Sequence, residues 1–191
     1  MKKLFALVLC FAMALSLVAC NTTKPVETTT TPTTEAVPVA ASALEILETV
    51  WALYGEDEKF FVMGGDFDAP VDGAPGAAAN TDWLTGTLLV PEEQLANVKE
   101  AASVAHGMMI NNFACGAFRV EGDTKAFADA MHAKISANPW ICGQPEKMVI
   151  AVIGEFVVAV YGVNDAVNPF ETKLTTAYPT AELAYSEAIN G

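Results

Sequence analysis

The chain has 191 residues, with 10 Lys and Arg against 23 Asp and Glu, for a formal net charge of −13. So acidic a protein is poorly suited to nucleic-acid phosphates and is repelled by anionic lipid headgroups. No nucleic-acid partner is therefore expected.

Met1, Lys2 and Lys3 give a positive start, Leu4 to Leu15 is almost wholly apolar, and Leu17-Val18-Ala19-Cys20 brings small residues and a cysteine. These are the parts of a secretory signal peptide over residues 1–19. The apolar run is short for a membrane helix, which needs about 20 residues. Leu17 to Cys20 also resembles a bacterial lipobox. That resemblance implies cleavage before Cys20, diacylglycerol on its thiol, and an extracytoplasmic lipoprotein on the outer face of the cell membrane. Acyl chains such as palmitate would be its membrane anchor. Loss of residues 1–19 leaves 8 basic and 23 acidic side chains, a net charge of −15. The bilayer contact then rests on the acyl chains, of which two anchor stably and one only marginally. No other cofactor is expected.

Residues 20–41 are dominated by Thr and Pro, too poor in apolar surface to offset the entropy of ordering. They read as a flexible tether, followed by a single globular domain over 42–191. Leu44, Leu47, Val50, Trp51 and Tyr54 recur at helical spacing, with Ser42 as cap and Gly55 at the end. Residues 63–76, rich in Gly, Asp and Pro, read as loop. A short helix follows from Asn80 or Thr81 to about Thr85, and Pro91-Glu92-Glu93 is another helical start. Over 92–106 the local periodicity favours a helix, whereas Phe113 to Val120 favours a strand.

Asp123 to Asn138 is an amphipathic helix with Phe127, Met131 and Ile135 on its apolar stripe, ended by Pro139. Met148–Ile153 and Phe156–Tyr161 are strands of a hairpin turning at Gly154-Glu155. Asn164 to Tyr178 is a helix capped by Asn164 or Asp165, though Pro169 moves its expected start toward Asn168. Thr180 to Ile189 reads as a last, weaker helix. The order predicts an α+β fold, a mostly antiparallel sheet of about four strands with helices packed mainly on one face.

Chemistry-bearing residues are few. Cys10 leaves with the signal, and beyond Cys20 only Cys115 and Cys142 remain. The strand–helix–strand path between them returns to the same end of the sheet, so a disulfide closing a loop of about 26 residues, contributing roughly 3 kcal/mol, is sterically open. Two separate buried thiols are the other reading. No Cys-x-x-Cys is present to lower a thiol pKa. His106 with Met108, Met109 and Cys115 supplies the donor types of a soft metal such as Cu(I). Asp66, Asp68 and Asp72 suggest a calcium loop, but glycine falls at the eighth position and alanine at the twelfth, which breaks the EF-hand pattern. Trp83 and Trp140 lie near loops, where they either pack or form a contact surface. His132 falls on the exposed side of its helix, with no role assigned. No Gly-x-Ser-x-Gly elbow, His-Glu-x-x-His helix or Walker loop occurs, so no catalytic residue is identified.

Val50-Trp51, Glu56-Asp57-Glu58-Lys59-Phe60, Gly64-Gly65-Asp66, Cys115-Gly116-Ala117, Trp140-Ile141-Cys142-Gly143 and Glu146-Lys147 resemble small uncharacterised lipoproteins of Gram-positive bacteria. Their relatives form a domain family of unknown function, some members being labelled bacteriocin-transport accessory protein. The likeness covers most of residues 44–178. It implies that residues 97–105 form a strand hairpinned to 113–120, and it assigns no catalytic residues. The expected function is a non-enzymatic binding or accessory domain whose protein or small-molecule partner is not specified. The alternatives are a thiol-redox or soft-metal protein using Cys115 and Cys142, and a hydrolase with a cation at the aspartate loop.

Overall fold

In the computed structural model, which describes residues 40–141 and 143–189, the chain runs through α1 (Ala43–Ala52), β1 (Val62–Gly64), β2 (Val71–Asp72), β3 (Gly76–Ala77), α2 (Thr81–Gly86), β4 (Val98–His106), β5 (Phe113–Val120), α3 (Thr124–Ser136), β6 (Lys147–Ile153), β7 (Phe156–Gly162), α4 (Asn164–Ala177) and β8 (Glu182–Ala188). The signal peptide, Cys20, the tether up to residue 39 and Cys142 lie outside the described residues. The strands form one open antiparallel sheet in the order β2-β1-β4-β5-β7-β6-β8, with β3 added beside β4. The fold is thus α+β, with eight strands rather than about four.

The central strands explain the layering. Every residue of β7 is buried, and seven of the eight in β5. Successive side chains point to opposite faces, so such strands need cover on both. Phe113, Cys115, Ala117, Phe156, Val158 and Val160 pack under α1 and α4, against Ile46, Val50, Phe170 and Leu174. Ala114, Phe118, Val157, Ala159 and Tyr161 pack under α2 and α3, against Trp83, Phe127 and Met131. Helices therefore cover both faces, not mainly one. The single-face expectation failed because the uninterrupted apolar runs of β6 and β7 are the pattern of strands covered twice.

α1 forms as its spacing predicts, with Ser42 Oγ accepting the Glu45 N–H at 3.0 Å. Residues 98–106 are strand, paired in register with β5 from Val98↔Val120 to Ala105↔Ala114, as the resemblance implied and against the local periodicity. The 63–76 segment is not loop throughout: Val62–Gly64, Val71–Asp72 and Gly76–Ala77 pair into the sheet. α4 begins at Asn164, after Val163 and without a side-chain cap, and holds Pro169 inside it. The carbonyl that Pro169 leaves without a donor belongs to Asp165, in the exposed first turn where water can serve it.

The last segment is strand β8, not helix. Pairing with β6 from Lys147↔Ala188 to Val152↔Glu182 gives that strand a second neighbour, and this ladder overrides a weak local preference. Six of the seven β8 residues are exposed, so side chains on α3 hold it. The Tyr185 ring stacks on His132 at 3.9 Å, its hydroxyl donates to Asp129 at 2.8 Å, and His132 Nε2 meets Glu187 at 2.8 Å. His132 is thus half-buried and engaged rather than on a free face. Tyr185→Phe keeps the ring stack and removes one donor. Hydrogen-exchange mass spectrometry is expected to show β8 amides exchanging several-fold faster, with β5 unchanged.

Candidate functional site

The segment from Gly64 to Asn80 folds back on β4 because one carboxylate gathers its backbone. Gly65 has φ +75°, and a Cβ there would sit 2.1 Å from the Ala69 carbonyl oxygen, so the turn requires glycine. Beside it Asp66 is buried. Its Oδ1 accepts from the Asp68 and Ala69 N–H groups at 2.9 and 3.1 Å, and its Oδ2 from those of Ala79 and Asn80. Burial pushes the Asp66 carboxyl up, but the bonds from Ala79, Asn80, Asp68 and Ala69 outweigh it and hold it below its ordinary range.

A second buried group ties this loop to the sheet. Ser103 is fully buried on β4; its Oγ donates to the Gly65 carbonyl and accepts from Trp83 Nε1 at 3.1 Å. Trp83, on α2, is thereby fixed as packed core. Asn80 caps α2 by accepting the Trp83 N–H at 3.0 Å.

These restraints leave the α2/α3 layer short of the sheet end. An open cleft of about 290 Å³ lies there, floored by Gly64, Ala105 and Gly107 and walled by Trp83, Phe67 and Ile110. Phe67 is 66% exposed and packs edge-on against Trp83 at 4.8 Å. Phe61 is half-exposed, and its ring lies where a Cβ on Gly107 would be, 2.3 Å away. Met108, at 78% the most exposed large apolar side chain among the described residues, follows directly in sequence. The cleft thus has large apolar side chains at its lips. A preformed, mostly apolar recess with aromatic walls is the usual form of a binding site.

The other candidate residues fall as follows. Asp68 accepts from Asn80 Nδ2 at 2.8 Å, and Asp72 lies on β2, paired with Met63. Both Asp66 oxygens already accept two N–H groups each. His106 Nδ1 accepts the Met108 and Met109 N–H groups, both at 3.2 Å, and the ring stacks on Phe60. Met108 and Met109 are exposed. Among the described residues no three His, Cys, Asp or Glu side chains are grouped to hold a metal ion. Cys115 is a free thiol, fully buried on the α1/α4 face, and burial pushes it well up. Trp140 packs on Tyr161, on the opposite face of the sheet. Asn111 Nδ2 donates to the carbonyls of Ile141 and Gly143, on either side of Cys142.

Phe61, Phe67 and Ser103 were not candidates from sequence. Phe67 did carry a signal, an aromatic between two aspartates in a turn-rich segment, where nothing local would bury it. No family model matches this chain, and no curated protein or solved structure is significantly similar to it.

Two outcomes follow from this geometry. Ser103→Ala leaves the Trp83 N–H and the Gly65 carbonyl unpaired and is expected to cost about 2 kcal/mol in urea denaturation. Asp66 has a depressed folded pKa, so its share of the stability is fully present above the ordinary aspartate value of about 4 and is lost as pH falls through the lower folded value. The wild type is expected to lose more stability on acidification than Asp66→Asn, whose amide does not titrate, as read by thermal melts from pH 6 to pH 2.

Proposed function

We propose that this chain is a membrane-tethered, extracytoplasmic binding domain, lipid-anchored at Cys20, that takes an apolar group into the cleft between Phe67, Trp83 and Ile110. The observation that carries the reading is the lining of that cleft: an aromatic wall held rigidly by Ser103 and Asp66, with Phe67 left in water and exposed Phe61 beside Gly107 of the floor. Exposing such side chains is unfavourable by about 25 cal/mol per Å² of apolar surface, which a fitting ligand recovers. A non-catalytic role is supported by how the reactive groups are used. Asp66 gathers backbone, His106 braces the β4–β5 loop through an accepting nitrogen, and Cys115 is sealed in the core. The signal, lipobox and Thr/Pro-rich tether supply the location.

Two measurements test the two halves of the proposal. Metabolic labelling with a radioactive fatty acid is expected to mark the wild type and not Cys20→Ala; equal labelling of both, or of neither, removes the anchor. Titration with the neutral fluorescent probe N-phenyl-1-naphthylamine is expected to give saturable binding that Phe67→Ser weakens roughly tenfold. Phe67 is exposed, so the fold should tolerate this change, and binding unaffected by it would remove the cleft from the function.

A further inference from the structure

Resting on that reading of the cleft, we infer that its occupant is an extended polypeptide segment with one aromatic or branched aliphatic anchor and no net negative charge. A second, larger cleft of about 590 Å³ lies on the same side of the sheet and shares Asp66 as a wall. It is a trough of small side chains, Ala77, Ala78, Ala79 and Ala101, bounded by Val98 to Glu100 of β4. On that side β4 is bonded from Ala101 to His106, the Ala78 N–H donating to the Ala101 carbonyl at 2.9 Å and β3 and β1 pairing beyond it, so among the described residues only Val98 to Glu100 lack a strand there, while β5 occupies the other edge from Val98 to Ala105. An uncovered strand edge over a shallow bed accepts main chain, and an adjoining pocket takes a side chain. The smaller cleft has the volume for one such anchor.

Charge narrows the occupant. Among the described residues no Lys or Arg lines the smaller cleft, and Asp66 stands ionised in its wall. The trough adds Asp68, while its Glu100 and Lys99 are paired with Arg119 at 3.1 Å and Glu121 at 2.6 Å. An acidic ligand meets Asp66 and Asp68, in a chain already at −13.

The place where the tether joins the domain separates a polypeptide from a bilayer. Arg119 donates to the Ala41 carbonyl, and Glu100 accepts the Ala43 N–H at 2.8 Å, so the chain enters beside the start of β4. Phe61, Gly107 and Met108 lie past the end of β4, and the six steps from Glu100 to His106 span about 20 Å. The apolar lips face away from the end through which the tether arrives, and the acidic surface opposes close approach to anionic lipid.

Selection of a random heptapeptide pool on the immobilised full chain tests this. The expected result is enrichment of Phe, Trp, Leu or Ile beside neutral or basic residues, with the leading peptide bound roughly tenfold or more weakly by Phe67→Ser in fluorescence anisotropy. Absence of enrichment, enrichment of acidic peptides, or affinity indifferent to Phe67 overturns it. So does flotation with phosphatidylcholine vesicles that is lost when Phe67 and Met108 are both serine, which assigns the lips to a bilayer. Saturable binding of the naphthylamine probe with no peptide enrichment sinks this inference alone and leaves the cleft as a small-molecule site.

Discussion

The constraint from which the architecture follows is that β5 and β7 are apolar on both faces. Alternation along Phe113–Val120 and Phe156–Gly162 sends bulky side chains up and down by turns. No single helical layer can keep water from both sides. α1 and α4 close one face with Ile46, Val50, Phe170 and Leu174; α2 and α3 close the other with Trp83, Phe127, Met131 and Ile135. Each buried side chain of this size contributes about 1.5–3 kcal/mol. An antiparallel sheet usually leaves one face wet, and this one cannot.

That two-sided demand is met unevenly, and the candidate site lies in the difference. α3 has 13 residues and covers the middle of the sheet, whereas α2 has only six and stops at Gly86. The ends of β1 and β4 beyond Trp83 are left without a helix above them. A loop with no anchoring would collapse into that space or fray away from it. Asp66 prevents both by binding the backbone on both sides of the excursion, at Asp68 and Ala69 and again at Ala79 and Asn80. Ser103 adds a fixed point from the sheet. Buried polar groups of this kind are costly unless fully satisfied, and when satisfied they define one geometry. The recess is therefore a consequence of polar restraints placed where apolar cover runs out.

The legible parts of the fold are those in which local pattern and tertiary demand agree. α1 could be read from its apolar spacing and Ser42, the β6–β7 hairpin from Gly154-Glu155, and α3 from Asp123 to its end before Pro139. Where the two conflict, local periodicity misled. Residues 98–106 have helical spacing but are held as strand by the register with β5. Glu182–Ala188 has little apolar pattern of its own, and its state is decided by the open edge of β6 and by His132 and Asp129 on α3. The Gly-, Asp- and Pro-rich segment announced its turns and not its three short strands, which exist because β4 offers an edge. Asp66 stood out in the sequence as a candidate for cation chemistry. Its role as a gatherer of N–H groups depends on residues 79 and 80, which only the folded chain brings near.

Arg119 links the two ends of the domain to its proposed orientation. It is the one arginine of the chain, and it joins Glu100 on β4, Glu155 in the β6–β7 turn and the Ala41 carbonyl, with its guanidinium over the Phe156 ring. A planar, permanently charged fork can hold carboxylates from a strand and a turn and a carbonyl at once, which a lysine cannot. By fixing Ala41 it sets where α1 begins, and α1 runs from there until Trp51 Nε1 donates to the Gly73 carbonyl at 3.2 Å, beside the loop that shapes the cleft. One helix thus joins the Ala41 contact to the loop that forms the recess. Ala41 and the cleft therefore lie toward opposite ends of β4, held by the same helix.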